Sequence, residues 1–191
     1  MNKSGLFEVF ERLEAGARES GVKIVLMGGL AVSIYAAPRA TFDIDGIIDL
    51  DEGSLEKFLD SVGKRGFKWD DTMPIKRIKG LPFITLLYPD KKIYIDLFLA
   101  KSGIHRSALK RSRSVKVEDV ILHVISPEDL ILIKLLSDRP RDTEDVRQIL
   151  LENSGILDLE YLEKWAGSLG VLQFLKDELR SVKAEGDKPE E

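Results

Sequence analysis

Residues 22 to 50 constrain this chain more than any other stretch. Val22 to Met27 is apolar except for Lys23 and lies between glycines, the pattern of a buried strand. Gly28-Gly29 ends it, Leu30 to Ala37 returns to a helical pattern, and Pro38 stops that helix. A second strand, Phe42 to Leu50, then carries Asp43-x-Asp45. Side chains two apart on a strand share a face, roughly 7 Å apart at Cα. The spacing therefore predicts two carboxylates side by side, with Ile44 turned into the core. Such a pair repels itself unless positive charge lies between its members. Oxygen ligands at this spacing suit Mg²⁺ with its retained waters. The glycine pair offers backbone N–H groups and a positive helix end to phosphate, or serves as ordinary turn chemistry.

Elsewhere the pattern alternates before it becomes purely helical. Leu6, Val9, Phe10, Leu13 and Ala17 recur at helical spacing, so residues 5 to 19 read as an amphipathic helix ending near Gly21. Asp49-x-Asp51 reads as strand end and turn, and Ser54 as the start of a helix to Lys64. Phe83 to Tyr88 and Lys92 to Leu99 are strands joined by Pro89-Asp90-Lys91, and Val120 to Ile125 is another. Asp96 is the single charge in Ile93 to Leu99, costly there unless paired or bound to metal. If its strand lies beside that of Asp43 and Asp45, three acids converge. Ser126-Pro127-Glu128-Asp129 is a strong helix start. Residues 127–138, 141–153, 158–168 and 171–184 read as helices, and the polar end as a disordered tail. The order predicts an α+β core over 1–125, a helical bundle packed on it over 126–184, and a tail over 185–191.

Composition removes several chemistries. There is no cysteine, so disulfides and thiolate catalysis or ligation are excluded, and two histidines, His105 and His123, make a histidine-rich metal site a poor expectation. No apolar run approaches the roughly 18 residues that span a bilayer. With no signal-peptide pattern at the start, the expected location is the cytoplasm, without a membrane partner. Few Asn and Gln beside 32% charged residues is the composition of a heat-adapted protein. A net charge of −4 disfavours nucleic-acid binding unless basic residues cluster. One cluster exists: Lys101, Arg106, Lys110, Arg111, Arg113 and Lys116. It reads as a solvated loop or exposed helix, or as a rim that receives triphosphate or RNA.

Gly28-Gly29-x-Ala31 followed by Arg39-Ala40-Thr41-Phe42-Asp43-Ile44-Asp45 resembles the signature of the polymerase-β-type nucleotidyltransferase superfamily. Asp96, Ser126 to Leu130 through Lys134, and Arg141-Asp142-x-x-Asp145-Val146 extend the likeness toward its AbiEii-toxin-like and related prokaryotic branch. The resemblance implies a nucleotidyltransferase fold, α+β, with a mixed β-sheet flanked by helices and a C-terminal helical segment. It implies that Asp43, Asp45 and Asp96 are catalytic and ligate two Mg²⁺ ions (Mn²⁺ as a substitute) about 3.5–4 Å apart. Gly28 and Gly29 would then cradle the triphosphate. Arg39 either orients the loop or reaches a phosphate, and Thr41 stabilises the strand entry near the nucleotide. Lys134 either reaches the phosphates or snorkels from a packed helix. Asp142 and Asp145, three apart, read more as partners for Arg139, Arg141 or the basic cluster than as catalytic groups. Gly46 departs from the pattern, which usually has a bulky apolar residue there.

The function so implied is Mg²⁺-dependent transfer of a nucleoside monophosphate from an NTP to an acceptor. The acceptor is a tRNA or other RNA, a protein or a small molecule, with a macromolecule meeting Lys101 to Lys116. A toxin role, with an antitoxin as partner, fits inside this reading. The competing reading is an inactive nucleotidyltransferase fold that senses nucleotide or holds a partner.

Overall fold

The computed structural model describes residues 3–38, 40–117, 119–137 and 139–186. The chain divides into two compact units, Met1–Ala31 with Ala40–Ile125, and Val32–Arg39 with Ser126–Glu191. Arg39 and residues 187–191 of the expected tail lie outside the described residues.

The first unit holds a seven-stranded sheet. Its elements are α1 (Lys3–Ser20), β1 (Lys23–Met27), the start of α2 (Gly28–Tyr35), β2 (Ile44–Asp49), α3 (Leu55–Gly63), β3 (Lys76–Ile78), β4 (Leu81–Tyr88), β5 (Ile93–Leu99), α4 (Gly103–Arg111), β6 (Arg113–Val117) and β7 (Val120–Val124). The strand order is β3-β4-β5-β2-β1-β7-β6. β2 runs antiparallel to β1 and parallel to β5, and β1 runs parallel to β7, so the sheet is mixed. Ile93, Ile95 and Leu97 of β5 and Ile84 and Leu86 of β4 are fully buried on one face. Tyr94, Asp96 and Phe98 alternate onto the other. α1 buries Leu6, Val9, Phe10, Leu13 and Ala17, and packs on α3, β1 and β7. Each fully buried Leu or Phe stabilises by about 1.5–3 kcal/mol relative to exposure.

Several local expectations are corrected. β2 begins at Ile44 rather than Phe42, because the ladder with β1 ends at Met27↔Asp45, where β1 turns away into α2. The turn before α3 is capped by Asp51, whose Oδ1 accepts from the Ser54 N–H at 2.8 Å; Ser54 is already helical and its hydroxyl caps nothing. The basic segment is neither a loop nor a single helix but α4 followed by the edge strand β6. The short strands β3 and β6 are too polar to show an apolar pattern. Both are edges, where Lys and Arg discourage pairing with another sheet. Gly46 marks a close approach of the neighbouring strands: a Cβ there would meet the Leu97 side chain at 2.9 Å and the Val25 carbonyl at 3.3 Å.

The second unit contains α5 (Pro127–Leu135), α6 (Pro140–Glu152), α7 (Leu159–Leu169) and α8 (Leu172–Gly186). α5 and α8 each pack on both α6 and α7. The helix start at Ser126 forms as its chemistry dictates. The Ser126 hydroxyl accepts from the Asp129 N–H and donates to the Asp129 carboxylate, with Pro127 in the first turn. Tyr161 of α7 donates its hydroxyl to the same carboxylate. Asn153 at the end of α6 donates to the carbonyls of Ile149 and Tyr35, at 2.8 and 2.7 Å. That side chain ties the end of α2 to the helical unit, a grouping for which the local pattern carries no signal.

Candidate active site

β2 and β5 place Asp45 and Asp96 as direct partners in a parallel ladder. Their Cα atoms therefore lie on strands about 4.8 Å apart, with both carboxylates on the same face. Both residues are half-buried. On the far side of β5, Thr85 of β4 faces Asp96 across the antiparallel ladder, and its hydroxyl donates to Asp96 Oδ1 at 2.7 Å. One row across the sheet thus reads Thr85, Asp96, Asp45, Met27.

Gly28 closes this row at the start of α2. Its φ is +66°, a left-handed conformation that a side chain disfavours by about 1–2 kcal/mol. A Cβ at this position would lie 2.0 Å from Asp45 Oδ2 and 2.7 Å from its Cγ. The glycine is thus required first by the Asp45 carboxylate, which lies where a side chain would be. Gly28 and Gly29 open α2, so that carboxylate sits by the positive end of the helix. The expected free cradle for phosphate is here shared with an aspartate.

Asp43 is not beside them on the strand. It is an exposed bend residue before β2, and Thr41 donates its hydroxyl to Asp43 Oδ1 at 2.9 Å. The strand register makes Asp45 and Asp96 an adjoining pair, with Asp43 in the bend that precedes β2. Among the described residues no group of three or more Asp, Glu or His side chains is arranged to hold a metal ion. The donor set of the pair still fits a hard divalent cation: oxygen atoms only, with two like charges directly opposite across a ladder.

Lys134 has a different setting from either one expected. Its Nζ is buried in the helical unit, 2.6 Å from Asp142 Oδ1 and 2.6 Å from Asp145 Oδ2. Asp142 also accepts from Arg139 at 2.6 Å. Burial works against the Asp142 carboxylate, yet hydrogen bonds from Lys134, Ser137 and Arg139 hold it below the usual range. The structural role expected for Asp142 and Asp145 is the observed one, with Lys134 as their shared partner. In the basic segment Lys101, Arg106, Lys110, Arg113 and Lys116 are exposed, and Arg111 is half-buried. Thr85 was invisible as a functional residue because its partner lies 11 residues away; the one signal is that it is the single small polar residue of β4.

Residues 104–181 match the model of a family described as a nucleotidyltransferase of unknown function (DUF6036). An antigenic nucleotidyltransferase-like protein from Paracoccidioides brasiliensis superposes with a TM-score of 0.55 at 17% identity, over 93% of this chain and 91% of that one. The chain has the nucleotidyltransferase fold. ANT(2")-Ia in complex with adenylyl-2"-tobramycin aligns with a TM-score of 0.55 at 14% identity, covering 84% of this chain and 94% of its own. The lincosamide antibiotic adenylyltransferase LnuA, lincomycin-bound, aligns at 0.52 and 16% identity, over 78% and 96%. No curated protein sequence matches the chain. Among the described residues no helix is long and apolar enough to cross a membrane.

Proposed function

We propose that this protein is a nucleotidyltransferase that moves a nucleoside monophosphate from an NTP to an acceptor hydroxyl. The observation that carries the reading is the Asp45–Asp96 pair in register, with the Asp45 carboxylate seated against a left-handed glycine at the start of α2. The acceptor oxygen forms a bond to the α-phosphorus, and the bond from that phosphorus to the bridging oxygen breaks. Pyrophosphate leaves with the electron pair, and the hydroxyl proton passes to the Asp96 carboxylate oxygen that Thr85 leaves free, and from there to solvent. In such a transfer the protein chiefly positions groups and neutralises charge.

In this reading Asp45 and Asp96 would hold Mg²⁺, or Mn²⁺, with Asp43, in the bend before β2, as a third ligand. The metal, when bound, polarises the phosphoryl oxygens and lowers the pKa of the attacking hydroxyl. Gly29 and the first turn of α2 receive the triphosphate, and Arg39 and Thr41 are the further residues assigned to it in this reading. Lys134 is left out, since its ammonium is committed to two buried carboxylates.

Small-molecule acceptors are favoured by the two structural relatives seen with antibiotics, tobramycin and lincomycin. A tRNA or protein acceptor meeting Lys101 to Lys116, and a toxin role of the AbiEii type with an antitoxin partner, remain within the same chemistry. The hydrogen bond that Thr41 gives the Asp43 carboxylate favours one further reading, a catalytically idle fold that senses nucleotide.

The test is incubation with each α-labelled NTP, Mg²⁺ and three acceptor panels: cellular RNA, cell protein, and aminoglycosides with lincosamides. The expected result is Mg²⁺-dependent label in one panel, lost in Asp45→Asn and Asp96→Asn. Equal labelling by those variants overturns the assignment. Nucleotide affinity without pyrophosphate release in any panel selects the sensor.

A further inference from the structure

We infer that Thr85 is a positioning residue for Asp96: its hydroxyl holds one oxygen of that carboxylate so that the other is presented to the Asp45 side. This rests on the reading of Asp45 and Asp96 as the catalytic pair.

Thr85 is the single small polar residue in Leu81–Tyr88, and Asp96 the single charge in Ile93–Leu99. An isolated hydroxyl and an isolated carboxylate in two apolar strands have no reason to coincide, yet the antiparallel register sets them directly opposite. A carboxylate only accepts, so the Thr85 hydroxyl donates to Oδ1, and 2.7 Å is within the short range of charge-assisted O–H···O⁻ bonds. Threonine is stiff at χ1, so its hydroxyl is a fixed post rather than a swinging one. Across the same row Asp45 is the other neighbour of Asp96.

The consequence is geometric. Two carboxylates on adjacent strands repel, and an unrestrained Asp96 relieves that repulsion by rotating away from Asp45. The hydrogen bond limits this rotation to one torsion, with Oδ1 anchored on the β4 side and the other oxygen left toward Asp45. Partners of ligating groups that act in this way typically change metal affinity or activity by about 10- to 100-fold when removed. Thr85 also serves strand packing, but valine fills the same volume in the same rotamers, so the hydroxyl alone is what such a substitution removes.

The experiment compares the wild-type chain with Thr85→Val and Thr85→Ser. Mn²⁺ affinity is measured by electron paramagnetic resonance without nucleotide, and kcat and KM for the NTP by pyrophosphate release. Thr85→Val is expected to weaken Mn²⁺ binding and lower kcat by about 10- to 100-fold each. The KM for NTP should stay within about threefold, because the triphosphate is received at α2. Thr85→Ser, which keeps the hydroxyl, is expected to recover most of both. Wild-type Mn²⁺ affinity in Thr85→Val overturns the inference and leaves the proposed function standing. Equal loss in Thr85→Val and Thr85→Ser also overturns it, since that outcome assigns Thr85 to packing. A wild-type chain that binds Mn²⁺ without turnover refutes the transferase reading, while the affinity comparison still decides the role of Thr85. Wild type without Mn²⁺ binding overturns both.

Discussion

Replacing Lys134 by methionine separates a structural lysine from a phosphate-binding one. The ammonium is buried and contacts two carboxylates whose side chains are only 5% and 4% exposed. Removing one partner from such a buried set costs about 3–5 kcal/mol, because charge is left without compensation in a poorly solvated place. Against a total stability of about 5–15 kcal/mol this is a large share. Arg139 softens the loss at Asp142, but it is 78% exposed and its attraction is screened by water. The assay is urea unfolding in a Trp69→Phe background, so that Trp165 on α7, the other of two tryptophans, reports on the helical unit alone. The triple variant Lys134→Met, Asp142→Asn, Asp145→Asn should regain most of the deficit. Unchanged stability in Lys134→Met, together with a raised KM for NTP, would refute the structural assignment and restore the lysine to the phosphates.

Further outcomes follow from the same structure. Gly28→Ala is expected to cost about 1–2 kcal/mol for the left-handed backbone, plus about 0.5–1.5 for driving the Asp45 side chain off its rotamer, and to abolish transfer. A crystal structure of that variant with Asp45 unmoved and stability unchanged would contradict it. Asp96→Asn removes one of two facing negative charges, so without divalent metal its melting temperature should rise, by the equivalent of about 0.5–1 kcal/mol. Saturating Mg²⁺ should stabilise the wild type, by about 2.7 kcal/mol at a hundred times Kd, and this variant much less. Hydrogen bonds from Arg65 and Ser61 lower Glu19 to about 2, so its contribution is present above pH 4.5 and lost as pH falls toward 2. Glu19→Gln should flatten that acid limb in a pH series of melting temperatures. Burial raises Glu14, against hydrogen bonds from His123, so the folded state holds its proton longer than the unfolded chain does. Stability from this group declines as pH rises above 4.5, and Glu14→Gln should remove the decline.

The residues by themselves determined the alternation of strand and helix, the cap at Ser126 and the suspicion attached to Asp43, Asp45 and Asp96. These are local signals: period, turn chemistry and an isolated charge in an apolar strand. Edge strands β3 and β6 escaped because pairing, rather than burial of their own side chains, makes them strands. Register was equally out of reach. That Asp96 meets Asp45 and Thr85, while Asp43 stops one residue short of the strand, follows from where β1 bends into α2 and releases its partner. Lys134 looked like a lone charge in an apolar helix until tertiary packing brought α6 to it, with its two aspartates. Hydrogen bonds and ion pairs between residues far apart in the chain depend on distances no local pattern encodes, and those distances decided which acids face one another.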